Sequence, residues 1–72
     1  MRFLKFDMDR ASTSLYFEFD QDHMVKIEYR DDLFHAFKYQ KIEEGGFGDL
    51  LGHYSSEDTP SFLDLVRIID AL

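Results

Sequence analysis

The residues best suited to metal chemistry are Asp20, Asp22 and His23, which lie together in the stretch DQDH. Their carboxylate and imidazole groups are common metal ligands. A calcium-binding EF-hand loop, however, needs further oxygen ligands around a central glycine, and a structural zinc site usually includes cysteine, which the chain lacks. We therefore interpret the stretch as a polar turn, and we predict that the protein uses no metal and no other cofactor.

The glycines of the segment 45–52 could suggest a phosphate-binding loop, which cradles phosphate with backbone N–H groups. No Lys-Ser or Lys-Thr pair follows them, and the neighbouring acidic residues Glu43, Glu44 and Asp49 would repel phosphate. The serines lie in polar segments without a paired base, and the three histidines lack the spacing that a helix would bring together. The sequence therefore predicts a protein that is not an enzyme.

The composition is strongly acidic, since fifteen Asp and Glu residues against eight Lys and Arg give a formal net charge of −7 at pH 7. A field of this sign repels nucleic acids and anionic membranes and attracts basic partners. A net charge of this size is also ordinary in a small domain, where it maintains solubility. The placement of the acidic residues on the fold must decide between these two interpretations.

The chain of 72 residues is predicted to form a single domain over residues 1–72. A domain this small buries only about 60% of the surface that its unfolded chain exposes, so its core must be dense. Eight phenylalanines and four tyrosines supply large apolar side chains for such a core. No apolar stretch is long enough for a membrane span, and the start MRFLKFDMD is unlike a signal peptide. We therefore expect a soluble, intracellular protein.

Alternating apolar and polar residues predict four β-strands, and a change to helical periodicity near residue 59 predicts one C-terminal helix. The predicted strands are Arg2–Met8, Leu15–Asp20, Val25–Arg30 and Leu33–Ile42. Thr59 is the predicted N-cap of a helix from Pro60 to Ala71, and the glycine-containing segment Glu43–Ser56 is predicted to be a loop. Because short connections favour pairing of neighbouring strands, the predicted fold class is α+β: a four-stranded antiparallel meander with the helix packed on one face.

The predicted core combines inward residues of the strands with one stripe of the helix. Its central members are Phe17, Phe19, Ile27, Leu65 and Ile69. The helical stripe consists of Phe62, Leu65, Val66, Ile69 and Leu72, and Leu63 and Ile68 widen it.

The inward face of the fourth strand depends on the turn before it, because a shift of one residue exchanges the two faces of a strand. A two-residue turn at Asp31–Asp32 places Phe34 and Ala36 inward. A three-residue turn places Phe37 and Tyr39 inward instead. The sequence leaves both registers open, and in either register one aromatic group remains on the face away from the core.

The sheet face away from the helix is predicted to carry aromatic residues among charged ones, with Phe3, Tyr16 and Glu18 as a secondary candidate surface for binding. An exposed aromatic patch ringed by charge is common at protein interfaces. Aromatic residues also favour strands whichever way they face, so both interpretations of this patch stay open.

The meander also predicts where the acidic surplus collects, because connections after the second and fourth strands lie at the same end of an antiparallel sheet. The carboxylates expected at that end form the predicted partner-binding site: Asp20, Asp22, Glu43, Glu44, Asp49, Glu57 and Asp58. A surface that binds phosphates with Lys and Arg will also bind carboxylates at a suitable spacing.

An acidic chain of 72 residues without cysteine or catalytic motif, with the build of a simple sheet and a helix, resembles the small phage-encoded anti-CRISPR proteins and related DNA-mimic inhibitors. The resemblance covers size, charge and build across the whole chain and rests on no motif. It implies an inhibitor that binds a CRISPR effector complex, or another basic nucleic-acid-binding protein, in the place of DNA. It also implies a location in the cytoplasm of a bacterial host.

Two other functions fit the same features. An acidic antitoxin or immunity protein would neutralise a basic toxin, such as a nuclease, through the same electrostatics. A structural subunit would be a homodimer that pairs its exposed sheet face or an edge strand. The sequence leaves the choice between monomer and homodimer undecided.

Overall fold

A computed structural model of the chain describes residues 1–43 and 45–72. Five strands form one antiparallel sheet in the order β1-β2-β3-β4-β5, and a helix follows them. The elements are β1 Arg2–Met8, β2 Ser12–Glu18, β3 His23–Arg30, β4 Leu33–Lys41, β5 Phe47–Ser56 and α1 Phe62–Ala71. The α+β class with a C-terminal helix is confirmed, and the prediction of four strands is wrong.

The additional strand, β5, occupies most of the segment that the sequence predicts to be a loop. Its glycines lie where the chain runs too close to its neighbours for a side chain. A Cβ added to Gly48 would lie 2.7 Å from the carbonyl oxygen of Gln40. A Cβ added to Gly52 would lie 2.9 Å from the Cβ of Leu72 at the end of the helix. These glycines therefore permit close packing within a strand, and they do not mark tight turns.

The hairpin between β3 and β4 turns on Asp31 and Asp32, whose φ angles of 55° and 62° are left-handed. The strands close on the pair Arg30 and Leu33, so the turn has two residues, as in type I′ hairpins. Phe34 therefore faces the core, and the two-residue alternative for this turn is confirmed.

Replacing Asp32 by glycine is expected to raise the free energy of unfolding by about 0.5–1 kcal/mol, because glycine adopts a left-handed φ without the steric cost of a Cβ. For a domain of this size that gain raises Tm by a few degrees. Thermal unfolding followed by circular dichroism measures it. Asp22→Gly, in a turn position without a positive φ, should give no gain. Equal Tm values for the two variants would contradict the expected strain at Asp32.

The core lies between the sheet and α1. The buried residues of this cluster are Val25, Ile27, Phe34, Ala36 and Ile69, and the partly buried residues packed against them are Leu15, Phe17, Phe19, Tyr54 and Leu65. Met24 is also completely buried, but it lies outside the cluster. All of the predicted central core residues belong to this cluster. We call the sheet face that carries the cluster the helix side, and the opposite face the open side.

The helix begins later than the sequence predicts. Ser61 is the N-cap, and its Oγ accepts a hydrogen bond of 3.2 Å from the backbone N–H of Asp64. The predicted N-cap, Thr59, instead shares a hydrogen bond of 2.7 Å with the hydroxyl of Tyr29 and so ties the connection to β3. Phe62 and Leu63 are 69% and 59% exposed, so their predicted places in the buried stripe are wrong. The first turn of the helix therefore contributes little to the core.

A bulge in β1 changes the predicted faces of that strand. The pairing with β2 shifts between Phe3 and Lys5, so Leu4 is an extra residue. Phe3 consequently lies on the helix side, where its ring meets that of Phe17 edge to face with centroids 5.6 Å apart. The predicted grouping of Phe3 with residues of the open side is wrong, because strict alternation does not allow for a bulge.

Candidate functional site

The acidic residues of the connections gather at two ends of the sheet. We call the end with the β2–β3 turn and the β4–β5 loop the loop end, and the end with the other two turns and the β5–α1 connection the helix-start end. Exposed carboxylates at the loop end are Asp20, Asp22 and Glu43, with Asp49 close by in β5. Exposed carboxylates at the helix-start end are Asp9, Asp31, Asp32, Glu57 and Asp58.

The predicted site is therefore divided. Glu57 and Asp58 were predicted at the loop end, and this is wrong because β5 carries the chain back to the opposite end of the sheet. Glu44, another predicted site residue, lies outside the described residues. The acidic surplus consequently forms two groups instead of one.

The carboxylate of Asp20 holds its own turn together. It accepts a hydrogen bond of 2.8 Å from Nδ1 of His23 and another of 2.8 Å from the backbone N–H of Asp22. Partial burial raises the pKa of Asp20, but the hydrogen bonds from His23 and the Asp22 backbone outweigh it and hold the pKa below its usual value. Asp20 thus has a structural role, whereas Asp22 and Glu43 remain exposed at the same end.

Asp9 plays the same part in the β1–β2 turn. Its Oδ1 accepts hydrogen bonds from the backbone N–H groups of Ala11, at 2.8 Å, and Ser12, at 2.9 Å. These bonds lower the pKa of Asp9, that from Ala11 most strongly. At the helix-start end, the carboxylates outside this turn belong to the β3–β4 turn and to the β5–α1 connection.

Glu18, a predicted site residue, forms ion pairs on the sheet. Its Oε2 accepts a hydrogen bond of 3.0 Å from Nζ of Lys41 and one of 3.1 Å from the guanidinium of Arg2. These two partners, Lys41 first, lower the pKa of Glu18. Arg2 and Lys41, at the edge of the open side, thus both bind the carboxylate of Glu18.

Glu28 collects a second pair of cations on the open side. Its carboxylate lies 3.4 Å from Nζ of Lys26 and 3.7 Å from the guanidinium of Arg30, and the residue is only 7% exposed. Together, Glu18 and Glu28 form ion pairs with four of the eight lysines and arginines of the chain. Half of the basic side chains are therefore paired with carboxylates of the sheet.

Acid should remove the stability that these carboxylates contribute. Folding lowers the pKa values of Asp9, Glu18 and Asp20. The stability that these carboxylates contribute is therefore fully present above their pKa values in the unfolded chain, which are about 4. It is lost as the pH falls through their lower pKa values in the folded protein. Urea midpoints measured between about pH 6 and 3 should fall, and Glu18→Gln should make that fall shallower. Glu57→Gln is the control. An unchanged slope for Glu18→Gln would contradict the assigned ion pairs.

The aromatic residues of the open side cover one another. Phe47 meets Tyr16 and Tyr39 edge to face, with centroids 5.7 and 5.3 Å apart, and it thereby connects the start of β5 to β2. Lys5 lies over the ring of Tyr16, with Nζ 4.9 Å from the centroid. Tyr16, Tyr39 and Phe47 are consequently half-buried. A cavity of about 380 Å³ lies beside them, lined by Leu4, Lys5, Tyr16, Gly45 and Phe47.

Two histidines form a pair that the sequence analysis missed. Nδ1 of His35 lies 3.1 Å from Nε2 of His53, and the rings are nearly parallel at 13° with centroids 5.3 Å apart. A centroid separation of 5.3 Å is too long for rings stacked face to face, so the two nitrogens point at each other. One ring therefore donates a hydrogen bond and the other accepts it. The pair links β4 to β5. Sequence spacing could have found it only if β5 had been recognised as a strand.

The helix-start end also contains a shallow cavity of about 260 Å³ between its two turns. Its lining includes Asp9, Asp31 and Asp32 together with Arg10 and Arg30. Carboxylates on the rim of a cleft can receive a guanidinium or ammonium group of a partner. The predicted topology does not indicate a site at this end, because it places the acidic surplus at the loop end alone.

No helix within residues 1–43 and 45–72 is long and apolar enough to cross a membrane. Comparisons of the chain with protein-family models, with curated proteins and with solved structures found no match. The function must therefore be inferred from the geometry and charge of the molecule itself.

Proposed function

We propose that this protein is a small acidic inhibitor that binds a basic nucleic-acid-binding protein and competes for its nucleic-acid site as a DNA mimic. One observation supports the proposal. The fold separates much of its charge, because four of the eight basic side chains form ion pairs on the sheet while exposed carboxylates gather in the connections at both ends.

The internal contacts of the basic residues extend beyond the two glutamates of the open side. Nζ of Lys38, which is 7% exposed, donates a hydrogen bond of 3.5 Å to the backbone carbonyl of Asp70. Arg67 lies 3.9 Å from Asp64 on the helix surface. A partner that approaches the loop end therefore meets a negative potential that these cations do little to offset, whereas Arg10 and Arg30 lie among the carboxylates of the helix-start end.

The dimensions of the molecule suit a single binding channel for nucleic acid. The eight residues of β3 span roughly 25 Å between the two ends, from a rise of about 3.3 Å per residue. One turn of a DNA duplex spans about 34–36 Å. The distance between the two acidic groups is therefore shorter than one turn of duplex. Both groups can contact the same nucleic-acid channel of a partner, in the place of less than one turn of DNA.

The mechanism is competition by charge and by volume. Each exposed carboxylate that meets Lys or Arg at the rim of an interface contributes modestly to affinity, whereas several together raise the association rate and make it dependent on salt. The bound domain, with extents of 31 × 25 × 19 Å, then prevents the nucleic acid from entering. No covalent chemistry is required of the chain.

The partner class that the resemblance to anti-CRISPR proteins favours is a CRISPR effector complex. A panel of purified effector complexes, each with its labelled target duplex, should include one whose DNA binding falls as the protein is added, in an electrophoretic mobility-shift assay. A parallel panel of basic nuclease toxins serves as the comparison. Inhibition of a toxin alone would identify the chain as an antitoxin, and inhibition of neither class would contradict the proposal.

A further inference from the structure

The first strand, β1, is an open edge of the sheet. The backbone N–H of Asp9 donates to the carbonyl of Ser12 at 3.0 Å, so the backbone groups of Asp9 face β2. Because these groups alternate along an antiparallel pair, those of Asp7 and Lys5 also face β2, while those of Phe6 and Met8 point away from the sheet. The outer edge of β1 can therefore hydrogen-bond to another strand.

Apolar side chains accompany this open edge. Phe3, Phe6 and Met8 lie on the helix side and are 52%, 59% and 71% exposed. They extend the row of core residues beyond the area that α1 covers, since the helix lies against β4. An edge strand with uncovered apolar side chains is a typical site for pairing with another chain.

The opposite edge, β5, is less suited to pairing. Its register with β4 shifts on both sides of Tyr39, and bulges of this kind twist an edge away from a flat partner. In β1 the bulge at Leu4 precedes a regular run from Lys5 to Met8. The regular run makes β1 the better edge.

We propose that two copies of this chain pair through β1, antiparallel and about a two-fold axis that passes beside Phe6. In this register, Phe6 lies directly opposite Phe6 of the other copy. The two strands then hydrogen-bond through the backbone groups that point away from β2. It also opposes Lys5 of each copy to Asp7 of the other on the open side, so two cross-strand pairs of opposite charge flank the axis. The sequence of the strand is thus complementary to itself, as a two-fold interface requires.

The area available agrees with a dimer of modest stability. A half-exposed phenylalanine leaves roughly 100 Å² of accessible surface, so Phe3, Phe6, Met8 and the strand backbone provide several hundred Å² on each copy. Specific interfaces bury about 1,200–2,000 Å² in total, and this pairing lies at or below the lower limit. We therefore expect the dimer to form in a concentration-dependent way. The pairing goes beyond the proposed function and uses neither Asp22 and Glu43 nor Glu57 and Asp58.

Charge reversal within β1 tests the register. Lys5→Asp places two carboxylates opposite each other at both pairs, and Asp7→Lys places two ammonium groups there. Each single variant should raise the dissociation constant of the dimer roughly tenfold or more, and the double variant Lys5→Asp/Asp7→Lys should restore it. Sedimentation velocity over a range of concentrations measures the constants, with circular dichroism to confirm folding.

Mixing the two single variants gives the sharpest result. An equimolar mixture restores opposite charges at both pairs and should form heterodimers at concentrations where each variant alone is monomeric. Asp64→Lys and Arg67→Asp, which make the same charge changes on the exposed helix surface, are the matched controls and should dimerise like wild type. A monomeric wild type, an assembly larger than a dimer, or single variants that dimerise like wild type would overturn the proposal. If Lys5→Asp fails to fold for lack of its contact with Tyr16, Asp7→Lys, which keeps that contact, decides the matter.

Discussion

Replacing Ile69 by alanine is expected to lower the free energy of unfolding by about 2–5 kcal/mol, the usual cost of removing a large aliphatic side chain from a core. Ile69 is completely buried, and it packs among Val25, Ile27, Phe34 and Ala36. It is also the buried residue of α1, so its contacts hold the helix on the sheet. Because small domains have total stabilities of about 5–15 kcal/mol, this one change can remove a large share.

Urea unfolding followed by circular dichroism measures the effect as a lower midpoint. Leu63→Ala is the matched control, since Leu63 lies in the same helix but is 59% exposed, and it should cost little. Equal midpoints for the two variants would show that the helix does not pack on the sheet through Ile69.

Reversing the exposed carboxylates of either end is expected to weaken binding to the basic partner by about 1.4–2.8 kcal/mol, or roughly ten- to hundredfold in Kd. Asp22→Lys/Glu43→Lys tests the loop end, and Glu57→Lys/Asp58→Lys tests the helix-start end. Both pairs are exposed and lie outside the core, so the fold should survive. Asp20 is left unchanged because its carboxylate holds the β2–β3 turn.

The control for this prediction is Asp64→Lys/Asp70→Lys, which makes the same change in net charge on the exposed helix. It should weaken binding much less than either end variant. Isothermal titration calorimetry at about 50 and 200 mM salt measures Kd, and wild-type affinity should fall at the higher salt because screening shortens the reach of exposed charges. Equal losses for all variants would mean that only net charge matters.

Local patterns in the sequence predicted a large part of the fold. Alternation gave the correct bounds for Arg2–Met8, and the polar pair Asp31–Asp32 marked the β3–β4 turn. Helical periodicity identified the C-terminal helix and its buried residue Ile69. These features depend on neighbours in the sequence, which is why the sequence alone could reveal them.

Features that depend on distant contacts could not be predicted in this way. Gly48 and Gly52 suggested a loop, whereas they permit close approach to Gln40 and to the end of the helix. The bulge at Leu4 depends on the pairing of β1 with β2, and it moved Phe3 to the helix side. In both cases the physical cause is a partner strand or helix whose position the sequence does not specify.

The candidate site changed for the same reason. One unpredicted strand moved Glu57 and Asp58 to the opposite end of the sheet and brought His53 beside His35. The exposed character of Asp22, Glu43 and Asp49 agrees with the prediction. Their role in binding stays a prediction, and so does the absence of catalysis.

The measurement that tests the central claim most directly is the mutual exclusion of this protein and nucleic acid on the partner. Fluorescence anisotropy of the labelled protein gives its Kd for the partner at increasing concentrations of unlabelled target duplex. If the protein occupies the nucleic-acid site, the apparent Kd should rise in proportion to the duplex concentration, and saturating duplex should release the protein completely. An apparent Kd that stays constant while the partner is saturated with duplex would contradict the account.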